Sequence, residues 1–191
     1  MRIDVYDFDG TIYDGDSTFD FIRFCLRRHP KIAFSLPALC LPAAKLALNK
    51  IGLTEFKSAL FGMMTKHISL TEEAKLFWQD EKTKKKLGAW FYDRPRDLPI
   101  VIASASPEFE LRYAADILGV KNLIGTRCND ATGQLIGKNC KGAEKIERIR
   151  TMMGEYTVRA MYTDDTKADG PLLAIAEEKY KITHGKLERI G

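Results

Sequence analysis

Asp7 and Asp9 stand one residue apart in VYDFDGTIYDGDS, closing an apolar run and leading directly into Gly10 and Thr11. Residues two apart on a strand share a side. Where the strand ends, Asp7 projects from its tip and Asp9 is free to swing over the same spot. Gly10 lets the backbone turn, and Thr11 can bond locally to that turn. Such a carboxylate pair repels itself unless a cation lies between, and a hard ion with oxygen ligands that also binds phosphate, magnesium, suits it. D-x-D-G also opens calcium loops, but those need more acidic positions and a closing Glu. This segment follows an apolar strand instead, which excludes calcium.

Two further apolar runs end in oxygen-bearing side chains. IVIASAS finishes in Ser104 and Ser106, and MYTDDTKADG carries Asp164, Asp165 and Asp169. The elements that must position these groups are short β-like runs at 3–8, 99–104, 122–126, 158–163 and 180–183. Helical patterns at 107–118, 142–153 and 170–179 separate the later ones. Strands alternating with helices predict an α/β fold, Rossmann-like, with a mainly parallel sheet flanked by helices. Reactive residues in such sheets gather at the carboxyl ends of the strands, where all three clusters fall. Residues 17–94 hold helical patterns and no convincing strand. They are read as an inserted α-helical cap domain, with residues 1–16 and 95–191 forming the Rossmann-like core.

The composition is that of a folded globular chain, with 45% hydrophobic and 29% charged residues. A net charge of +4 is too weak and dispersed to imply nucleic acid. Cys25, Cys40, Cys128 and Cys140 have neither zinc-site nor C-x-x-C spacing, and are expected as reduced thiols in a cytoplasmic protein. The opening MRIDVYDFD reads as a strand, not a cleavable leader. Ile32 to Ala44 runs uncharged, after Arg27, Arg28, His29 and Lys31. It is shorter than the about 20 residues a spanning helix needs, and Pro37 and Pro42 interrupt it. Composition alone favours a buried helical hairpin. The alternative is peripheral docking on the inner face of a membrane, the basic cluster meeting anionic headgroups.

With these motifs in order, the chain resembles the haloacid-dehalogenase-like phosphohydrolase superfamily over its first 18 residues and from about 98 to 191. DFDGT is similar to the first motif. The resemblance implies Asp7 as nucleophile and Asp9 as general acid/base, its backbone carbonyl also a metal ligand. It implies Ser104 as a donor to the phosphoryl group, Mg2+ as cofactor and a phosphomonoester as substrate. For the third motif, a Lys, the choice is Lys141 of NCKGAEKI, which precedes Gly142 at a helix start; Lys145 is read as a surface or cap-facing residue. For the fourth, Asp164, Asp165 and Asp169 stay open as metal ligands beside Asp7 and Asp9, with Asp164 the first choice. Dehalogenation is disfavoured by the acidic fourth motif, and the intact motif set argues against a binding protein without turnover.

The segment from Pro107 onward resembles the phosphoserine-phosphatase-like branch. That pattern has a Glu nine residues after the nucleophile to hold the substrate amine; here Asp16 stands there, and D-S-T also reads as a helix N-cap. Phosphoserine is therefore disfavoured. FIRFCLRRHPKIAFSLPALCLPAAKLAL looks like the basic-then-apolar cap segment of the phosphatidylglycerophosphatase C group. That implies a lipid phosphate substrate, with Arg23 and Arg27 drawing anionic headgroups and Ser106 and Asp16 lining the substrate site. A soluble ester, or phosphotransfer on the same scaffold, is the alternative.

Overall fold

The computed structural model describes all 191 residues. Six strands, β1 (Arg2–Tyr6), β2 (Ile100–Pro107), β3 (Asn122–Thr126), β4 (Thr157–Thr163), β5 (Ala176–Thr183) and β6 (Lys186–Arg189), form one sheet in the order β3-β2-β1-β4-β5-β6. The first five run parallel, and β6 pairs antiparallel with β5. Central β1 aligns Val5 with Val101 on one side and with Met161 on the other. This is the Rossmann-like α/β arrangement that the alternating pattern predicts.

Both faces of the sheet are covered, so its strands read as nearly continuous apolar runs. Ile3, Val5, Val101, Ala103 and Met161 pack with Ile149 of α7 (Ala143–Met153) and Leu172 of α8 (Gly170–Ile175). On the opposite face Tyr6, Ile102 and Tyr162 pack with Phe109 and Ala114 of α6 (Glu108–Leu118). α6 ends where Gly119 takes a left-handed conformation, as helix C-termini favour.

Between β1 and β2 the chain is helical: α1 (Ser17–Arg28), a 3-10 helix (Pro30–Leu39), α2 (Cys40–Ala47), α3 (Leu53–Met64), α4 (Leu70–Gln79), α5 (Glu81–Lys84) and a short 3-10 turn (Ala89–Phe91). Asp16, Ser69 and Asp80 start α1, α4 and α5, each side chain accepting a backbone N–H from the first turn. The helices share their core with the sheet. Phe21 and Phe61 each meet Phe109 edge-on, at 5.8 and 5.6 Å between ring centres, and Trp78 meets Phe8 at 5.8 Å.

Two expectations change. The helix expected over 170–179 ends at Ile175, and 176–179 join β5. Ala-Glu-Glu-Lys favours helix locally, but parallel pairing of Ala160 and Met161 with Glu178 and Lys179 overrides that preference. The segment 32–44 is not a buried hairpin. Only Ile32 is buried, while Phe34 is 85% exposed, Leu41 64% and nearby Leu48 65%. Pro37 lies inside the 3-10 helix and Pro42 near the start of α2. Two short helices of different pitch present no continuous stripe for the lobe to cover. No helix of the chain is long and apolar enough to cross a membrane.

Because Phe109 joins the sheet to the helical block, Phe109→Ala is expected to cost about 3–5 kcal/mol. Urea unfolding followed by far-ultraviolet dichroism and by tryptophan fluorescence should shift together; separate transitions would contradict a shared core.

Candidate active site

Asp7 sits just past the end of β1, where its N–H donates to the Tyr162 carbonyl at 2.9 Å. Its buried Oδ1 accepts from Lys145 Nζ at 2.7 Å, and the same ammonium donates to Asp169 Oδ1 at 2.7 Å. Lys145 lies on the first turn of α7 and is buried. The ammonium that meets Asp7 is thus that of Lys145 and not of Lys141. Lys141 is exposed and has no carboxylate partner, although it borders the same cavity. The reason is local: Gly142, at φ +60°, turns the chain into α7, sending the first helical turn inward while Lys141 stays outside.

Asp9 is clamped. Its Oδ1 accepts from the Ser17 N–H at 2.7 Å, and its Oδ2 accepts from Ser106 Oγ at 2.6 Å and Ser104 Oγ at 3.1 Å. Behind Ser106 stand the Thr18 hydroxyl at 3.0 Å and, 3.1 Å beyond, the fully buried Glu110. Burial, with Asp9 nearby, pushes the Glu110 carboxyl well above the usual range. The Thr18 hydroxyl lies within donating distance of both Ser106 Oγ and Glu110 Oε2, and Ser106 in turn donates to Asp9. Sequence reading missed both Lys145 and Glu110. Glu110 looks like an ordinary first-turn acid complementing a helix dipole.

Thr11 ties the fourth motif to the first. Its hydroxyl lies 3.5 Å from Asp7 Oδ2 and 3.4 Å from Asp164 Oδ1, and accepts the Asp164 N–H at 2.9 Å. The Asp164 carboxylate lies against Gly10, where a Cβ would fall 2.1 Å from Oδ2, so a side chain there would push that carboxylate aside and strain a turn at φ +72°. Asp169 has both oxygens engaged, the second by Thr163 Oγ1 at 2.8 Å. Asp165 accepts the Lys167 and Ala168 N–H groups. Asp16 caps α1 through Phe19 N–H at 2.8 Å and also borders the cavity.

Asp7, Asp9, Asp16, Ser104, Ser106, Lys141, Asp164, Asp165 and Asp169 thus surround one cavity of about 270 Å³, joined by Lys57 of α3, which no motif flagged. Arg23 and Arg27 are not among them; they border a separate cavity. Six aspartates face three lysines here, and the imbalance is felt. Burial pushes Asp7 up to about 7; Lys145 opposes this, while Asp169 and Asp9 reinforce it. Burial also raises Asp164. Burial works against the Lys145 charge, but Asp7 and Asp169 outweigh it and hold the ammonium above its ordinary range.

The donor set fits magnesium. No three His, Cys, Asp or Glu side chains form a ready cage, but this ion keeps several waters and is held by one or two carboxylates plus substrate phosphate. Asp7 and Asp164, meeting at Thr11, with the Asp9 backbone carbonyl, would hold it.

The chain belongs to the haloacid dehalogenase-like hydrolase family, which it matches over residues 5–174. It is 32% identical to protein CicA of Caulobacter vibrioides, across 95% of this chain and 86% of that protein. Its fold is similar to that of a protein of unknown function from Bordetella pertussis Tohama I, with a TM-score of 0.73 and 17% identity, covering 93% of this chain and 88% of the other. It is also similar to a phosphoserine phosphohydrolase-like protein from Francisella tularensis subsp. tularensis SCHU S4, with a TM-score of 0.56 and 16% identity over 94% and 86% of the two chains.

The Asp7 shift fixes the sign of a stability change. A carboxyl raised from 3.8 to about 7 on folding contributes stability below 3.8 that is lost as pH rises through 7. In chelator at pH 8, Asp7→Asn is therefore expected to raise the thermal midpoint by a few degrees, at about 2–4 °C per kcal/mol. The gain should shrink toward pH 4; a lowered midpoint at pH 8 would contradict the charge balance drawn here.

Proposed function

We propose that this hydrolase is a magnesium-dependent phosphatase of phosphomonoesters working through a phosphoaspartate on Asp7. The observation that carries the reading is Lys145 held between Asp7 and Asp169, at strand ends shared with Asp9 and Asp164. Phosphoryl transfer is mainly positioning and charge stabilisation. Asp7 Oδ1 is committed to Lys145, leaving Oδ2 to attack phosphorus. The P–O bond to the leaving group breaks with its electron pair, and Asp9 supplies the proton that makes it an alcohol. Asp9, now a carboxylate, takes a proton from water, whose oxygen attacks phosphorus, releasing phosphate and restoring Asp7. Bound magnesium would supply positive charge to the phosphoryl oxygens and offset the excess of aspartates. Ser104, Ser106 and the Ser17 N–H fix the angle of Asp9, and Lys57, on the helical side, faces the substrate's leaving group.

A lipid phosphomonoester is the substrate class we favour, for one reason: Phe34, Leu41 and Leu48 are exposed in a stretch with no acidic residue between Asp20 and Glu55. Apolar groups with basic neighbours match an anionic lipid surface. The helical lobe then serves as a cap that brings the cavity to the bilayer.

Lys145→Met should lower kcat/KM for a phosphomonoester by about 10²–10³, the size of losing one preorganised charge partner; Lys141→Met should cost far less. Equal losses would reverse the assignment of the lysine. Chelator should abolish turnover and magnesium restore it. In vesicle sedimentation, binding should favour phosphatidylglycerol over phosphatidylcholine, fall with salt, and weaken in Phe34→Ser/Leu41→Ser. Salt-insensitive, equal partitioning would return the substrate to a soluble ester.

A further inference from the structure

A second cavity, of about 370 Å³, lies between α1, α4 and the α5 turn and shares no residue with the aspartate cavity. Arg23 and Arg27 enter it from α1, and Lys82 and Lys86 from the segment around α5; Tyr13, Phe24 and Phe77 give it an apolar floor.

Lys82 lies in α5 and Lys86 just beyond it, while Arg23 and Arg27 are spaced i,i+4 on α1, an arrangement that costs a helix a few tenths of a kcal/mol by like-charge repulsion. Nothing in the fold offsets most of this. Lys86 is satisfied by Asp20 at 2.6 Å, and Asp20 also accepts the Tyr13 hydroxyl at 2.9 Å. The remaining carboxylate, Asp80, is turned to the Thr83 N–H and hydroxyl at the start of α5. Arg28, the neighbouring arginine, is drawn away to Glu73 at 2.9 Å. Arg23, Arg27 and Lys82 have no carboxylate within ion-pair distance, and Arg23 leans on the Phe19 ring, 5.6 Å from its centre. Arg23, Arg27 and Lys82, all exposed, line one concave, partly aromatic surface without a carboxylate partner. They supply what a doubly charged oxyanion requires: two guanidinium forks able to grip its oxygens and an ammonium opposite.

We infer that this cavity is a second anion site, separate from the aspartate cavity, that binds a phosphate group through Arg23, Arg27 and Lys82. The phosphate is either free or carried on a lipid headgroup. Tyr13, on its floor, follows Asp9 by four residues, is bridged to Asp9 through the backbone, and donates to Asp20. The occupied site therefore abuts the turn that carries Asp9. The inference does not depend on the hydrolytic reading, since it invokes no chemistry at Asp7.

The test is an amide-shift titration of the full-length Asp7→Asn protein with inorganic phosphate at constant ionic strength. Signals of 20–27 and 80–86 should move along a saturating curve of their own, distinct from those of 104–106 and 164–169. Arg23→Ala/Arg27→Ala should weaken that curve by roughly tenfold or more, equivalent to about 1.4 kcal/mol. Lys82→Ala, which touches only an exposed residue, should weaken it several-fold and guards against a folding defect in the double variant. A second arm replaces phosphate with phosphatidylglycerol vesicles, phosphatidylcholine serving as control. Perturbation by phosphate supports a free anion; perturbation only by the anionic vesicles supports a headgroup. No saturable shift in either arm, equal shifts with chloride, or curves unchanged in the variants would overturn the site.

Discussion

Lys145 is the point on which the site's electrostatics rest. An ammonium removed from water is costly unless it is paired on every side, and this one is satisfied only by Asp7 and Asp169, each at 2.7 Å. The dependence runs both ways. Without Lys145, two buried carboxylates would stand beside Asp9 and Asp164 with no ammonium between them. Asp169 in turn is anchored by Thr163 at the end of β4, so the ion cluster ties the first turn of α7 to the ends of β1 and β4.

Around that cluster the molecule divides its polar groups by function. Hydroxyls surround Asp9: Ser104 and Ser106 touch it, and Thr18 stands behind them. Neutral donors orient a carboxylate without fixing its protonation as an ammonium would. The buried ammonium is held between Asp7 and Asp169 instead. The same economy explains why Arg23 and Arg27 stand in another cavity, where they do not compete with Lys145 for the carboxylates.

Much of this was legible in the chain. The sheet followed from apolar runs that end in Asp or Ser, because a strand buried on both faces has nowhere but its ends for polar residues. The meeting of Asp7, Asp9, Ser104 and Asp164 followed from the same fact together with the parallel strand order. The lysine was harder: Lys141 and Lys145 are both polar neighbours of a helix start, and only the turn at Gly142 decides which faces inward. Glu110 was hidden because its burial depends on α1 packing across it, a long-range contact with no local sequence mark. Residues 176–179 were read as helix because pairing with β4, not local propensity, decides their state. The exposure of Phe34 and Leu41 was missed because apolar composition reports a preference for burial, not whether any surface exists to cover it.

The placement of the helical lobe between the first two strands also bears on how the chain is made. β1 contributes Val5, whose sheet partners are Val101 and Met161. The strand at the centre of the sheet precedes all the others, and the nearest of its partners, β2, begins only at Ile100. Pairings so distant in sequence are slow to form, and an unpaired apolar strand invites misassociation in the interval. The intervening helices reach their neighbours over short spans and can gather around Phe8 early. Trp78, which packs on Phe8 just beyond β1, thus stands nearer to β1 in the chain than either strand partner does.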